Sequence, residues 1–154
     1  MRHPYIKIAT YAAVFVTLCD QITKAWVVRN VLPPPSYYPV APSIDFTLVW
    51  NKGVTFGLLH HLNQPYILIG AALLVMGLLG RWLWQTSSLL VTMALGTIIG
   101  GALGNILDRV RYGAVVDFID VYYGQYHWYT FNLADAAIVA GVLLLCLDSL
   151  VRRK

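Results

Sequence analysis

Polar residues are scarce along this chain, and where they fall divides it. Four stretches are almost uninterrupted in apolar residues, at about 6–28, 66–84, 89–107 and 133–151. Each is close to the roughly 20 residues that a helix needs to cross a bilayer. The pattern therefore predicts four membrane-spanning helices. The second and third are joined by a short link and form an antiparallel hairpin. Pro65 suits the first turn of the second helix, where its missing N–H costs no hydrogen bond. The link between the first two helices is long. It opens with Pro33, Pro34, Pro35, Pro39 and Pro42 and then alternates. Ile44, Phe46, Leu48 and Trp50 fall on one face; Asp45, Thr47 and Val49 fall on the other. A period of two predicts a strand. The link before the fourth helix, with Val115, Val116, Phe118, Ile119 and Val121, reads the same way. The expected fold is membrane all-α: four transmembrane helices with a small extracytoplasmic β-sheet built from the two outer links, about 29–65 and 108–132. Residues 1–154 are expected to form a single polytopic membrane domain.

Composition supports lipid as the solvent. The chain is 58% hydrophobic and only 12% charged, whereas a soluble domain is charged at about a quarter of its positions. The net charge of +4 would suggest nucleic acid in a soluble protein. Here Arg152, Arg153 and Lys154 end an apolar segment and read as a cytoplasmic anchor, so no nucleic-acid partner is expected. The first apolar run follows Met-Arg-His as a signal peptide would. It lacks a small-x-small cleavage site, and Asp20 and Lys24 follow at once, so it reads as a retained span. An even number of spans puts both termini on one side. Six cations fall on the terminal side and five on the other, which places the termini in the cytoplasm. Tyr122, Tyr123, Tyr126, Trp128 and Tyr129 then form an outer aromatic belt. Cys19 and Cys146 lie in apolar runs and read as small buried hydrophobes.

The acids carry the chemistry. There are seven, all aspartates: Asp20, Asp45, Asp108, Asp117, Asp120, Asp135 and Asp148. With four spans, the end of helix one, the end of helix three, both long links and the start of helix four share the outer face. That convergence gathers Asp20, Lys24, Asn51, Lys52, Asn105, Asp108, Arg109, Asp117, Asn132 and Asp135, while helix two contributes nothing and reads as scaffold. Two carboxylates brought close cannot both ionise cheaply, so they share a proton. The ionised one can accept a proton from water, and the protonated one can polarise a carbonyl and later protonate a leaving amine. Asp117 and Asp135 are the expected pair, although spacing alone does not separate Asp117 from Asp120. Asp135 by itself also reads as a first-turn helix acid.

Other polar groups have structural readings. Asp20 and Lys24, four apart, share a helix face and can pair, as a support for the site or in contact with substrate. Asp108 reads as part of an Asp–Arg network with Arg109 that fixes the outer loops. Gly96, Gly100 and Gly104, with Gly101, form a small-residue stripe for close helix packing, internal or between copies. His60, His61 and His127 lie outside, but no His-Glu-x-x-His is present and the chain has no glutamate, which argues against a metallopeptidase. No glycine loop for phosphate and no serine with a partner base appears. No cofactor is called for.

Five stretches, in order, resemble one family. They are Asp20-Gln-Ile-Thr-Lys24, Asn51-Lys-Gly53-Val-Thr-Phe56, Gly100-Gly-Ala-Leu-Gly104-Asn105-Ile-Leu-Asp108-Arg109, Gly113-Ala-Val-Val-Asp117-Phe-Ile-Asp120 and Phe131-Asn132-Leu-Ala134-Asp135. Together they resemble the lipoprotein signal peptidases, or signal peptidase II, over nearly the whole chain. Val54-Thr55 departs from the two alanines common there. The resemblance implies an aspartic endopeptidase of the bacterial inner membrane. It would cleave prolipoproteins just before a cysteine carrying diacylglycerol, at the outer face. It implies Asp117 and Asp135 as the catalytic pair. Asp20, Lys24, Asn51, Gly53, Gly104, Asn105, Asp108, Arg109, Asn132 and Ala134 would support the site or touch substrate. The implied partners are diacylglyceryl-modified prolipoprotein, membrane lipid and inhibitors of the globomycin type. The three asparagines are suited to gripping an extended peptide or orienting the acids. A proton-conducting bundle is the rival from another class; it would place its acids at mid-membrane. A membrane anchor without chemistry would leave the paired acids unexplained.

Overall fold

The computed structural model describes residues 5–53 and 65–152. Arg2, Val54, Thr55, Phe56, Gly57, His60, His61, Arg153 and Lys154 lie outside the described residues, as does the side chain of Arg152. Among the described residues there are four helices: α1 (Ile6–Asn30), α2 (Pro65–Gln85), α3 (Leu89–Tyr112) and α4 (Leu133–Arg152). All four are long and apolar enough to cross a membrane. Between them lie β1 (Tyr38–Ala41), β2 (Ile44–Asn51), β3 (Val115–Tyr123) and β4 (Tyr126–His127). The strands form one antiparallel sheet in the order β1-β2-β3-β4. It combines both long links, as their alternating pattern predicts.

Two features differ from the hydropathy pattern. α3 continues to Tyr112 because its last turn carries Arg109 and Arg111, cations that favour a helix C-terminus. Gly113 then closes it with φ 68°, a left-handed conformation that glycine adopts without strain, and its N–H donates to Arg109 O at 3.0 Å. In β2 the expected alternation fails, since adjacent Thr47 and Leu48 are both buried. The register with β3 shifts between Phe46 and Val49. An irregularity of that kind turns successive side chains out of strict alternation.

The helix bundle is built on glycine. A side chain at Gly96 would meet the backbone of Ala9, with the oxygen at 2.6 Å and Cα at 2.8 Å. Gly100 meets Ala13 in the same way. Thr17 Oγ1 is shared between Ala13 O and Gly100 O, each at 2.9 Å, so a polar group joins the two backbones. Gly101 and Gly141 make the equivalent approach between α3 and α4. The stripe is thus occupied by α1 and α4. Lipid tails are as apolar as leucine, so such close packing supplies attraction that hydrophobicity cannot. α2 differs, with no buried residue at all.

The sheet docks on the end of α1 through a second core. Val27 and Val31 from α1 and its C-terminal flank pack with Leu48, Val116 and Phe118. Phe46 and Phe118 meet edge to face at 5.2 Å. This cluster sets β3 against the bundle and so fixes the height of Asp117. The packing gives a direct test. Gly100→Val forces a branched side chain into the Ala13 backbone, and overpacking costs roughly 1–3 kcal/mol. The thermal midpoint in detergent should drop by roughly 5 °C. Gly77→Ala on α2, with nothing within 4 Å, should not lower it.

Candidate active site

The site starts from a buried ammonium. Lys24, late in α1, is 2% exposed. Its Nζ lies 2.9 Å from Asp20 Oδ2 and 2.8 Å from Asp108 Oδ2, and it donates to Asn105 Oδ1 at 3.0 Å. An ammonium has three protons and no lone pair, and these three acceptors use all of them. Asp20 and Lys24 therefore pair as their spacing predicts. Asp108 does not pair with Arg109 as expected. Consecutive helical residues point about 100° apart, and Arg109 instead donates to Asn105 O at 3.3 Å. Asp108 serves Lys24, accepts from Gln21 Nε2 at 2.9 Å and holds the Val116 N–H at 3.1 Å. It thereby ties α1, α3 and the start of β3 together.

Asp20 has a second task. Its Oδ1 accepts the Ala134 N–H at 2.9 Å, one of the unsatisfied donors in the first turn of α4. Gly104 leaves room for that carboxylate, since a Cβ there would collide with Asp20 Oδ2. Ala134, fully buried, lies against the same spot. Gln21, which the sequence does not single out, completes the layer. It donates to Asp20, Asp108 and Gly104 O, and its Oε1 accepts from Arg111 at 2.6 Å. A glutamine inside a span was the available signal.

The three asparagines turn this scaffold into a directed network. Lys24 holds Asn105 Oδ1, so Asn105 Nδ2 faces Asp135 Oδ1 and donates at 2.8 Å. The Gly53 N–H donates to Asn51 Oδ1 at 2.7 Å, so Asn51 Nδ2 faces Asp117 Oδ2 and donates at 2.8 Å. Gly53 has φ +83°, which allows the turn that brings its N–H back. The Asp135 N–H donates to Asn132 Oδ1 at 2.9 Å, so Asn132 Nδ2 faces Asp117 Oδ1 at 2.7 Å and Asn105 Oδ1 at 3.1 Å. In each case a group that can only donate sets which end of the amide faces the acid. Neither acid can be exchanged for a donor without leaving two NH groups face to face.

Asn132 and Asp135 also form a reciprocal helix cap, because the Asn132 N–H donates to Asp135 Oδ2 at 3.3 Å. Asp135 is thus a first-turn acid that also accepts from Asn105. It is partly exposed, whereas Asp117 is 2% exposed. Burial pushes the Asp117 carboxyl up from 3.8 to about 6. The bond from Asn51 lowers it, the neighbouring charge of Asp135 raises it, and Asn132 and Lys24 lower it. Arg109 lies within electrostatic reach of Asp135, Asp117 and Asp108. Asp120 is absent from this network. It lies 2.6 Å from His127 Nδ1, on the far part of the hairpin. The structure thus separates the two aspartates of β3 that spacing could not.

The chain and its fold have relatives. The family model described as Signal peptidase (SPase) II matches residues 12–151. A lipoprotein signal peptidase of Methylobacterium sp. (strain 4-46) is 41% identical over 152 residues, spanning 97% of this chain and 91% of the relative. One from Methylorubrum extorquens (strain PA1) is 44% identical over 144 residues, spanning 90% and 83%. Among solved structures, a bacterial membrane enzyme determined by the in meso method matches with a TM-score of 0.84 at 28% identity, covering 97% of this chain and 92% of the other. With the match spanning nearly all of the chain, and with the same fold found independently, this protein belongs to the lipoprotein signal peptidase (signal peptidase II) family.

Proposed function

We propose that Asp117 and Asp135 are the catalytic pair of an aspartic endopeptidase, and that the enzyme cleaves diacylglyceryl-modified prolipoproteins just before the lipidated cysteine. The observation that carries this reading is the clamp. Both acids accept hydrogen bonds from asparagine amides that cannot reverse, at the end of the bundle where the sheet meets the helices. Asp117 is buried and holds a proton to about pH 6. Asp135, more accessible and at a helix N-terminus, is suited to the ionised role. In the ground state one proton is shared between the acids. Water attacks the scissile carbonyl as the ionised acid takes its proton, while the protonated acid donates to the carbonyl oxygen. Collapse of the resulting gem-diol returns a proton to the leaving amine, and the pair again holds one proton.

The membrane supplies the substrate's route. An apolar cavity of about 390 Å³ lies along α1 and α3, lined by Ala13, Leu18, Leu83, Gly96, Ile99 and Leu103 among others. Leu18 and Leu103 lie next to the layer of Asp20 and Gly104. The cavity suits the apolar part of a signal peptide or an acyl chain that arrives sideways through the bilayer. The site faces the outer side of the inner membrane, with both termini in the cytoplasm and Asp20, Lys24, Asn51, Gly53, Gly104, Asn105, Asp108, Arg109, Asn132 and Ala134 supporting the acids. An inhibitor of the globomycin type, a cyclic lipopeptide, would compete for the same space.

Purified Asp117→Asn and Asp135→Asn variants should each lose cleavage of a diacylglyceryl-modified prolipoprotein by on the order of 1000-fold. Full activity in either would remove that residue from the pair. The raised carboxyl makes a second, independent statement. The folded protein binds the Asp117 proton more tightly than the unfolded chain does, so this group's stabilising contribution is complete below about pH 3.8 and is lost as pH rises through about 6. Thermal midpoints followed from about pH 4 to about pH 8 should show wild type losing stability relative to Asp117→Asn, by on the order of 3 kcal/mol, with no further change above that window. A difference that moves in the opposite direction would show that Asp117 is not held as a buried acid.

A further inference from the structure

Asp120 is buried to 2% exposure yet plays no part in the clamp. Among the described residues, the partner of its carboxylate is the His127 ring, at 2.6 Å. A carboxylate at that distance accepts, so Nδ1 carries the proton. The ring itself contacts two tyrosines. It stacks on Tyr122 with centroids 5.2 Å apart and lies 5.9 Å from Tyr37. The charged and titratable groups around it are Asp120 and Tyr122 on β3, Tyr37 before β1, and Asp45, which stands opposite Asp120 on β2. Three elements therefore meet at one imidazole.

Its position along the chain gives it leverage. β3 carries Asp117 and continues into the hairpin that returns through β4 to Asn132. β4 has only two residues, pairing Tyr122 with His127 and Tyr123 with Tyr126. A hairpin that short is marginal alone. Its tip is apolar and strongly exposed at Tyr123, Tyr126, Trp128 and Tyr129, so the membrane interface competes for it. Below the tip, the Phe131 N–H donates to Ile119 O at 3.1 Å, and Phe131 O accepts from Phe118 and Ile119. Phe131 directly precedes Asn132, the residue that grips Asp117 and caps the helix of Asp135.

We propose that His127 is a positioning residue for cleavage. Its bond to Asp120 pins the return strand of the β3–β4 hairpin, and through Phe131 it sets the place of Asn132 between the two acids. This rests on the reading of Asp117 and Asp135 as the catalytic pair. The active part is the Nδ1 proton rather than the bulk of the ring, since the ring's aromatic contacts are with tyrosines and it is Nδ1 that reaches Asp120.

The experiment separates these features. His127→Phe keeps an aromatic ring between Tyr37 and Tyr122 but donates nothing. His127→Asn loses the ring and places an amide NH2 near the Nδ1 position. With purified protein and a diacylglyceryl-modified prolipoprotein, His127→Phe should lower kcat by tenfold to about 100-fold, the scale of small displacements at a reacting centre, with KM within about twofold. His127→Asn should recover kcat to within about threefold of wild type. If His127→Phe does not fold, Asp120→Asn/His127→Phe removes the buried charge and should show the same fall in kcat. Wild-type kcat in a folded phenylalanine variant, an asparagine variant as impaired as phenylalanine, or a change in KM alone overturns the inference. Asp117→Asn run alongside distinguishes the two readings. If it is inactive while His127→Phe is fully active, only the role of His127 fails; if it is active, the catalytic pair itself fails.

Discussion

The site depends on one buried cation. Lys24 has its three protons committed to Asp20, Asp108 and Asn105. Breaking such a buried cluster by removing one partner generally costs about 3–5 kcal/mol, because the charges left behind have no solvent. The cost is higher where the acceptors have structural work of their own. Asp20 satisfies the start of α4, and Asp108 satisfies the start of β3. Lys24 neutralises both and, through Asn105 Oδ1, also decides which way an amide faces near Asp135. A single positive charge thus joins three elements and orients the hydrogen bond from Asn105 to Asp135.

The glycines and the lysine answer one another. Gly104 makes space for the Asp20 carboxylate, and Gly96 and Gly100 bring α1 close enough to α3 for Lys24 to reach Asn105. Apolar packing alone would not select that spacing inside lipid. The ionic cluster alone would not offset its own desolvation unless the helices lay within hydrogen-bond range. Packing in the middle of the bundle and chemistry at its end are therefore parts of one design. The sheet contributes the remaining requirement, since Val116 and Phe118 dock β3 at the height where Asp117 meets Asn51 and Asn132.

Much of this architecture was legible from apolar run lengths, because a bilayer permits few ways to satisfy a backbone. The convergence of polar residues at one end followed from counting spans. What stayed hidden was pairing. Asp108 and Arg109 are neighbours in sequence but face different ways, so the expected ion pair gave way to one with Lys24 on another helix. The end of α3 lay beyond its hydropathy signal, because charged residues can finish a helix they did not begin. The irregular register in β2 erased the alternation that had announced the strand. Asp120 could be told from Asp117 only once the hairpin placed His127 beside it. The direction of each asparagine amide depends on a donor that sits far away in sequence or on the backbone, and no composition or spacing carries that information.

α2 stands apart from all of this. It buries no residue, and its glycines, Gly70, Gly77 and Gly80, meet nothing within 4 Å. The other helices are held by backbone approach and ionic bonds, whereas this one is a wall whose outer support is solvent of a particular kind. Its position is thus a property of the lipid as much as of the polypeptide. Bilayer thickness and tail order become structural parameters of the enzyme, acting on the one side of the molecule that the ionic cluster does not reach.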